Sequence, residues 1–207
     1  NSGETFKYTI KIPKDEPPGM YWYHPHVHGT SSTMVDGGAC GAIIVEGIEN
    51  LQPAIVGLPQ RVLLLRDMPL IWNTLTTTSN PAGPAPFWDL SLNYVPVNYP
   101  VYRPAIVKMH ADEKEFWRVV NASANSIFDI QLKYDGVQQP LQIVALDGVP
   151  TGSQDGKHQG VIITQNDILI PPAGRAEFIV TAPSAAVRHA TFSTIGSVTT
   201  MLCGLDG

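Results

Sequence analysis

Residues 21–29 read Tyr-Trp-Tyr-His-Pro-His-Val-His-Gly, so three of the six histidines stand at positions 24, 26 and 28. On an extended strand, positions spaced by two project to one face. Imidazoles gathered on one face oppose each other's protonation. A metal ion removes that conflict, because neutral imidazole is a good donor to copper, zinc or nickel. Pro25 stiffens the segment, and the aromatic neighbours Tyr21, Trp22 and Tyr23 are expected to bury it. His24, His26 and His28 are therefore the candidate metal ligands, and spacing alone leaves the metal open. Gly29 to Asp36 holds no glutamate to complete a cupin-type site, a zinc hydrolase is disfavoured by the lack of a carboxylate near the histidine cluster, and Val27 and Gly29 break a His-x-His-x-Asp-His pattern.

The other candidate donors are scattered. His110 follows Met109, but adjacent strand residues point to opposite faces, so this pair is not expected to form a second site. The cysteines, Cys40 and Cys203, lie too far apart for a Cys-x-x-Cys knuckle. Both read as small buried side chains.

Strands must position the histidines. Phe6, Tyr8, Ile10 and Ile12 alternate with Lys7, Thr9 and Lys11, which predicts a half-buried strand over 5–12. Further strands are predicted at 19–26, 41–46, 61–66, 105–109, 116–120, 128–134, 141–146, 161–163, 167–170, 176–181 and 189–195. Helix is expected only as short turns at Ser31–Val35 and near Glu49–Gln52. With 18 glycines and 18 prolines between short apolar runs, the pattern is that of an all-β sandwich or barrel. Asn50–Gln60 interrupts the strand pattern and suggests a domain boundary. The proline-bearing stretch Ser79–Tyr102 reads as an irregular surface loop, with Phe87-Trp88 as its one candidate contact feature.

Composition excludes several functions. At 207 residues, 43% hydrophobic and 15% charged, the chain is too apolar to be disordered. Its net charge is −5 and its Lys and Arg never cluster, so no nucleic-acid partner is expected. The aliphatic runs, such as Val62–Leu65, are far short of a membrane span.

Gly19-Met-Tyr-Trp-Tyr-His-Pro-His-Val-His-Gly29, followed by Gly38-Ala-Cys-Gly-Ala-Ile-Ile-Val-Glu46, resembles the second copper-binding segment of the multicopper oxidases, the laccase-like enzymes. Phe116–Ser123 and Asp167–Val180 resemble the middle domain of the three-domain members. The resemblance implies cupredoxin-like Greek-key domains: residues 1–52 as the C-terminal part of a first domain, and 60–207 as a second domain without copper ligands. It implies that His24 and His26 are type 3 copper ligands, one for each copper of the pair in a trinuclear cluster, with His28 in a supporting or surface role.

It further implies a secreted, extracellular or periplasmic oxidase coupling one-electron oxidation of a small reducing substrate or metal ion to reduction of dioxygen to water. Neither a first His-x-His pair nor a His-Cys-His segment is present, and neither cysteine matches the type 1 ligand. The chain is thus expected to be an internal piece that works with the remaining segments of the same oxidase. The competing reading is a non-catalytic metal-binding or structural module. Asn121-Ala-Ser123 is a glycosylation sequon expected to be packed and unmodified.

Overall fold

The computed structural model describes residues 3–5, 7–69, 88–97 and 103–195. Among them the structure is strands joined by turns, with one short helix, as the alternating pattern predicts. The strands are β1 (Gly19–Tyr23), β2 (Gly41–Val45), β3 (Gln60–Pro69), β4 (Trp88–Leu92), β5 (Val95–Val97), β6 (Lys114–Asn121), β7 (Phe128–Tyr134), β8 (Val137–Gln139), β9 (Leu141–Leu146), β10 (Val149–Pro150), β11 (Ile163–Gln165), β12 (Asp167–Ile170), β13 (Arg175–Thr181) and β14 (Ala190–Thr194). The helix, α1, is Ser31–Asp36.

The strands form three layers. The middle layer is an eight-stranded sheet in the order β10-β9-β13-β6-β3-β4-β5, with β11 also on β9. A four-stranded sheet, β12-β7-β14 with β8 on β7, covers one face. Between them lies the main core, in which Leu63, Trp117, Val119, Ile143, Phe178 and Val180 meet Phe128, Ile130, Leu132, Ile168 and Ile170. The β1–β2 ribbon, α1 and two 3-10 turns at Ile48–Asn50 and Pro53–Ile55 cover the opposite face. Being covered on both sides explains why β6 and β13 are buried almost throughout and read as continuous rather than alternating apolar runs.

The segment before residue 59 therefore shares its core with the strands after it. Met20, Val35 and Cys40 pack with Leu64, Val120 and Ala122, while Ile48 and Ile55 pack with Phe116, Val144, Ala145 and Ile179. The Cys40 side chain is 2% exposed, as its reading as a small buried residue requires.

Three expectations fail. Residues 7–13 are not a strand, and Tyr8, Ile10 and Ile12 are 81%, 76% and 48% exposed. Alternation selects a face, but a strand exists only through a backbone ladder, and no described segment pairs with this one. Residues 105–109 are also irregular; Val107 and Met109 pack on the core, yet the backbone joins no sheet.

Conversely, residues 88–97 of the expected loop form the β4–β5 hairpin. Its turn residues Asn93 and Tyr94 take φ of 48° and 64°, a mirror-image turn suited to strand twist. Asn93 stitches that turn to β3, accepting from the Leu64 N–H at 2.7 Å and donating to the Val62 carbonyl at 3.0 Å. Phe6, Phe87 and Cys203 lie outside the described residues.

Candidate metal centre

β1 pairs antiparallel with β2, from Gly19 opposite Val45 to Tyr23 opposite Gly41. It stops there because Pro25, two residues on, has no N–H to continue a ladder. The histidines therefore lie beyond the strand, on His24–Val27 and the turn at 28–30, and not along one strand face as the spacing suggested. The turn closes when Thr30 and Ser31 donate their backbone N–H to the Val27 carbonyl at 3.1 and 3.0 Å, and it leads into α1. The far end of α1 is held by Arg66, which donates through Nη2 to the carbonyls of Val35 (3.0 Å) and Asp36 (2.9 Å).

The three rings remain neighbours. His24 and His26 have centroids 5.6 Å apart with planes at 45°, and His26 and His28 are likewise 5.6 Å apart at 78°. Trp22 stacks on His24 at 4.2 Å and 16°. The His24 Nδ1 lies 2.9 Å from the Pro25 carbonyl. A carbonyl oxygen can only accept, so Nδ1 is the donor of this contact, and in the neutral ring Nε2 is then the nitrogen with a lone pair for a ligand. The contact to Pro25 and the stack on Trp22 hold the ring's orientation, as a metal-ligating imidazole requires.

Burial of the whole cluster is not what the structure shows. His24 is half-buried, whereas His26 and His28 are exposed, as are Tyr23 and Val27. The neighbouring side chains divide: Met20 and Trp22 turn inward on alternating positions, while Tyr23 lies outward over Gly41, where a Cβ would come within 2.6 Å of its hydroxyl. Among the described residues no group of three or more His, Cys, Asp or Glu side chains converges on a point. The donor chemistry of His24 and His26 suits copper; a complete coordination shell needs further donors.

His110 is exposed and Met109 packs on the core, so the two side chains point apart although the segment is not a strand. His158 pairs elsewhere, with Asp155 at 2.8 Å; the Lys157 backbone N–H and the His158 ring hold that exposed carboxyl down at about 2.

Sequence reasoning missed the groups that hold β1 against the middle sheet. Arg118 and Glu177 face each other across β6 and β13, with Nη1 and Oε1 3.1 Å apart and both side chains almost wholly buried. Glu177 Oε2 accepts the Met20 N–H at 3.0 Å, and Arg175 Nε donates to the Met20 carbonyl at 3.2 Å. Burial pushes the Glu177 carboxyl above the usual range, against the pull of Arg118. Nearby, burial and the Glu16 carboxylate push the Tyr21 phenol up to about 12, and its hydroxyl donates to the Pro17 carbonyl. Charged residues inside the apolar run Arg175-Ala-Glu-Phe-Ile-Val were the visible signal.

Residues 1–50 match the family model described as multicopper oxidase. A search of curated proteins finds no match. Among solved structures, the chain is similar to the McoA multicopper oxidase from the hyperthermophile Aquifex aeolicus, with 23% identity, 79% of this chain and 34% of that chain covered, and a TM-score of 0.56. It is similar to the blue copper oxidase from Nitrosomonas europaea, at 24% identity, 88% and 50% coverage and a TM-score of 0.59. It is also similar to Fet3p, a multicopper oxidase that functions in iron import, at 17% identity, 86% and 30% coverage and a TM-score of 0.60. The chain spans 30% to 50% of the length of these three structures. The described residues thus carry the cupredoxin-like fold of multicopper oxidases, and the histidine segment lies inside the stretch matched by the family model.

Proposed function

We propose that this chain is part of a multicopper oxidase, in which His24 and His26 bind copper of a type 3 pair. One observation carries the reading: within the stretch matched by the multicopper oxidase model, the His24 ring is held through Nδ1 at the Pro25 carbonyl and by its stack on Trp22, with the His26 ring 5.6 Å away. Copper held there supplies one-electron redox chemistry for the four-electron reduction of dioxygen to water. His24 and His26 bind and orient the metal, and Trp22 shields one ring face from water. The exposed His26 edge is where donors from outside the described residues complete the shell.

In this reading residues 1–52 contribute to one cupredoxin-like domain and 60–207 form a second without copper ligands. The partners are dioxygen, a small reducing substrate or metal ion, and the remaining segments of the oxidase. The location is secreted, extracellular or periplasmic; among the described residues no helix is long and apolar enough to cross a membrane.

The test is His26→Ala in the intact oxidase. His26 is exposed and fills no core volume, so the variant should fold normally and lose dioxygen reduction. Wild-type turnover would remove the assignment.

A further inference from the structure

The free edge of β1 is held by side chains rather than by another strand. Met20 has both its backbone groups bonded by two residues on the same face of β13: its N–H goes to Glu177 Oε2 at 3.0 Å and its carbonyl to Arg175 Nε at 3.2 Å. Glu177 is 0% exposed and Arg118 is 1% exposed. Arg118 sits directly opposite it in β6 with the charges 3.1 Å apart. The Asp147-Gly148 turn closes the remaining gap, since a Cβ on Gly19 would fall 2.6 Å from the Gly148 carbonyl oxygen. Arg175 also donates through Nη2 to the Asp147 carbonyl at 2.8 Å, tying that turn to the same side chain.

Met20 and Trp22 lie on one face of β1, and His24, just past the strand's end, is linked to them by contact. Met20 is buried, Trp22 packs on the same cluster, and the His24 ring stacks on Trp22. Contacts thus run from Met20 through Trp22 to the His24 ring, four residues along the chain. The buried charge pair is costly to maintain, and removing either partner alone leaves the other uncompensated. A pair of apolar residues would seal the same layer but could not hold the Met20 N–H.

We propose that Glu177 is a positioning residue for the metal centre: anchored by Arg118, it fixes β1 at Met20 and so sets the orientation of the His24 imidazole. This rests on the reading of His24 as a copper ligand. The Arg118 charge lies beside the carboxylate, and Arg175 completes the clamp at the Met20 carbonyl.

The experiment uses the full 207-residue chain, as wild type, as Glu177→Gln and as the double variant Arg118→Met/Glu177→Leu, which removes both buried charges together. Three quantities are read: the thermal midpoint, the imidazole nitrogen NMR signature of His24 in metal-free protein, and cupric-ion affinity followed by tryptophan emission. Wild type should show a single Nδ1–H tautomer for His24. The double variant should fold, lose that single signature and bind cupric ion about tenfold or more weakly, the scale typical of losing an outer-shell partner.

Glu177→Gln keeps an oxygen able to accept from Met20, so it should keep the His24 signature and an affinity within about twofold of wild type, even at a lower midpoint. A folded double variant with wild-type signature and affinity would overturn the proposal. So would a double variant that does not fold, which would make the pair structural, or a Glu177→Gln variant that loses the signature as fully as the double variant. If wild type takes up no cupric ion at His24, the metal reading fails by itself, while the ring signature still decides whether Glu177 positions it.

Discussion

Trp22 lies flat on His24, with ring centroids 4.2 Å apart and planes 16° from parallel. The stack ties a proposed ligand to the buried cluster of Met20, Val35, Cys40 and Leu64. Trp22→Leu keeps apolar volume against that cluster and removes the flat surface under the imidazole. Cupric-ion affinity should fall about tenfold, while the urea midpoint of unfolding changes little. Titration calorimetry and urea melts on the same samples separate the two effects.

Gly19 and Gly41 provide a matched pair of tests. A Cβ at Gly19 meets the Gly148 backbone at 2.6 and 2.9 Å, and neither chain can yield without parting β1 from the middle sheet. Gly19→Ala should cost about 1–3 kcal/mol, the usual range for overpacking. At Gly41 the obstructing atoms are the far end of the exposed Tyr23 ring, which can swing away. Gly41→Ala should therefore cost clearly less in the same denaturation series.

Glu115 supplies the pH dependence. Burial pushes its carboxyl up, but Arg61, bonded at 2.7 and 2.8 Å, and the Trp117 indole N–H at 2.7 Å outweigh that and hold it below the usual carboxylate range. A depressed folded-state pKa adds stability above the unfolded value, and that stability is lost as pH falls through the folded one. Glu115→Gln should be less stable than wild type at pH 7. The gap should close as the solution is acidified below the ordinary glutamate range, as checked by thermal midpoints across pH.

Asn121 is 0% exposed, and its Nδ2 donates to the carbonyls of Ser126 (2.7 Å) and Ile170 (2.9 Å), while Oδ1 accepts from the Ser123 N–H and hydroxyl. The side chain is committed to joining β6 to the four-stranded sheet. Expression in a glycosylating host should leave the Asn121-Ala-Ser123 sequon unmodified, by intact-mass measurement. Asn121→Ala should cost about 1–3 kcal/mol from the carbonyls it strands.

The strands that face one core were the most legible in the sequence. Phe128-Asp-Ile-Gln-Leu-Lys-Tyr134 alternates because one face meets the core and the other is partly open. Short strands were harder. β8 and β10 follow Asp135-Gly136 and Asp147-Gly148, whose positive φ values make them tight hairpin turns. The Asp-Gly signals stood in the sequence, but strands of three and two residues carry too little alternation to register. At 5–12 the alternation was real, but among the described residues no segment pairs with it, so pattern alone overstated structure.

The candidate centre was legible as a motif, because His24, His26 and His28 are contiguous. What holds it was not. Glu177 and Arg118 are 59 residues apart and meet only through the β6–β13 register, which no local spacing encodes. Nor does composition distinguish the inward Trp22 from the outward Tyr23; the β1–β2 pairing and the layer beneath decide that.

The most direct test of the central claim is a crystal of the copper-loaded protein, with an anomalous difference map recorded on either side of the copper absorption edge. The account predicts copper peaks within bonding distance of His24 Nε2 and of an imidazole nitrogen of His26, both absent in His24→Ala/His26→Ala. Copper bound only elsewhere, or peaks at this segment that survive the double substitution, would contradict it.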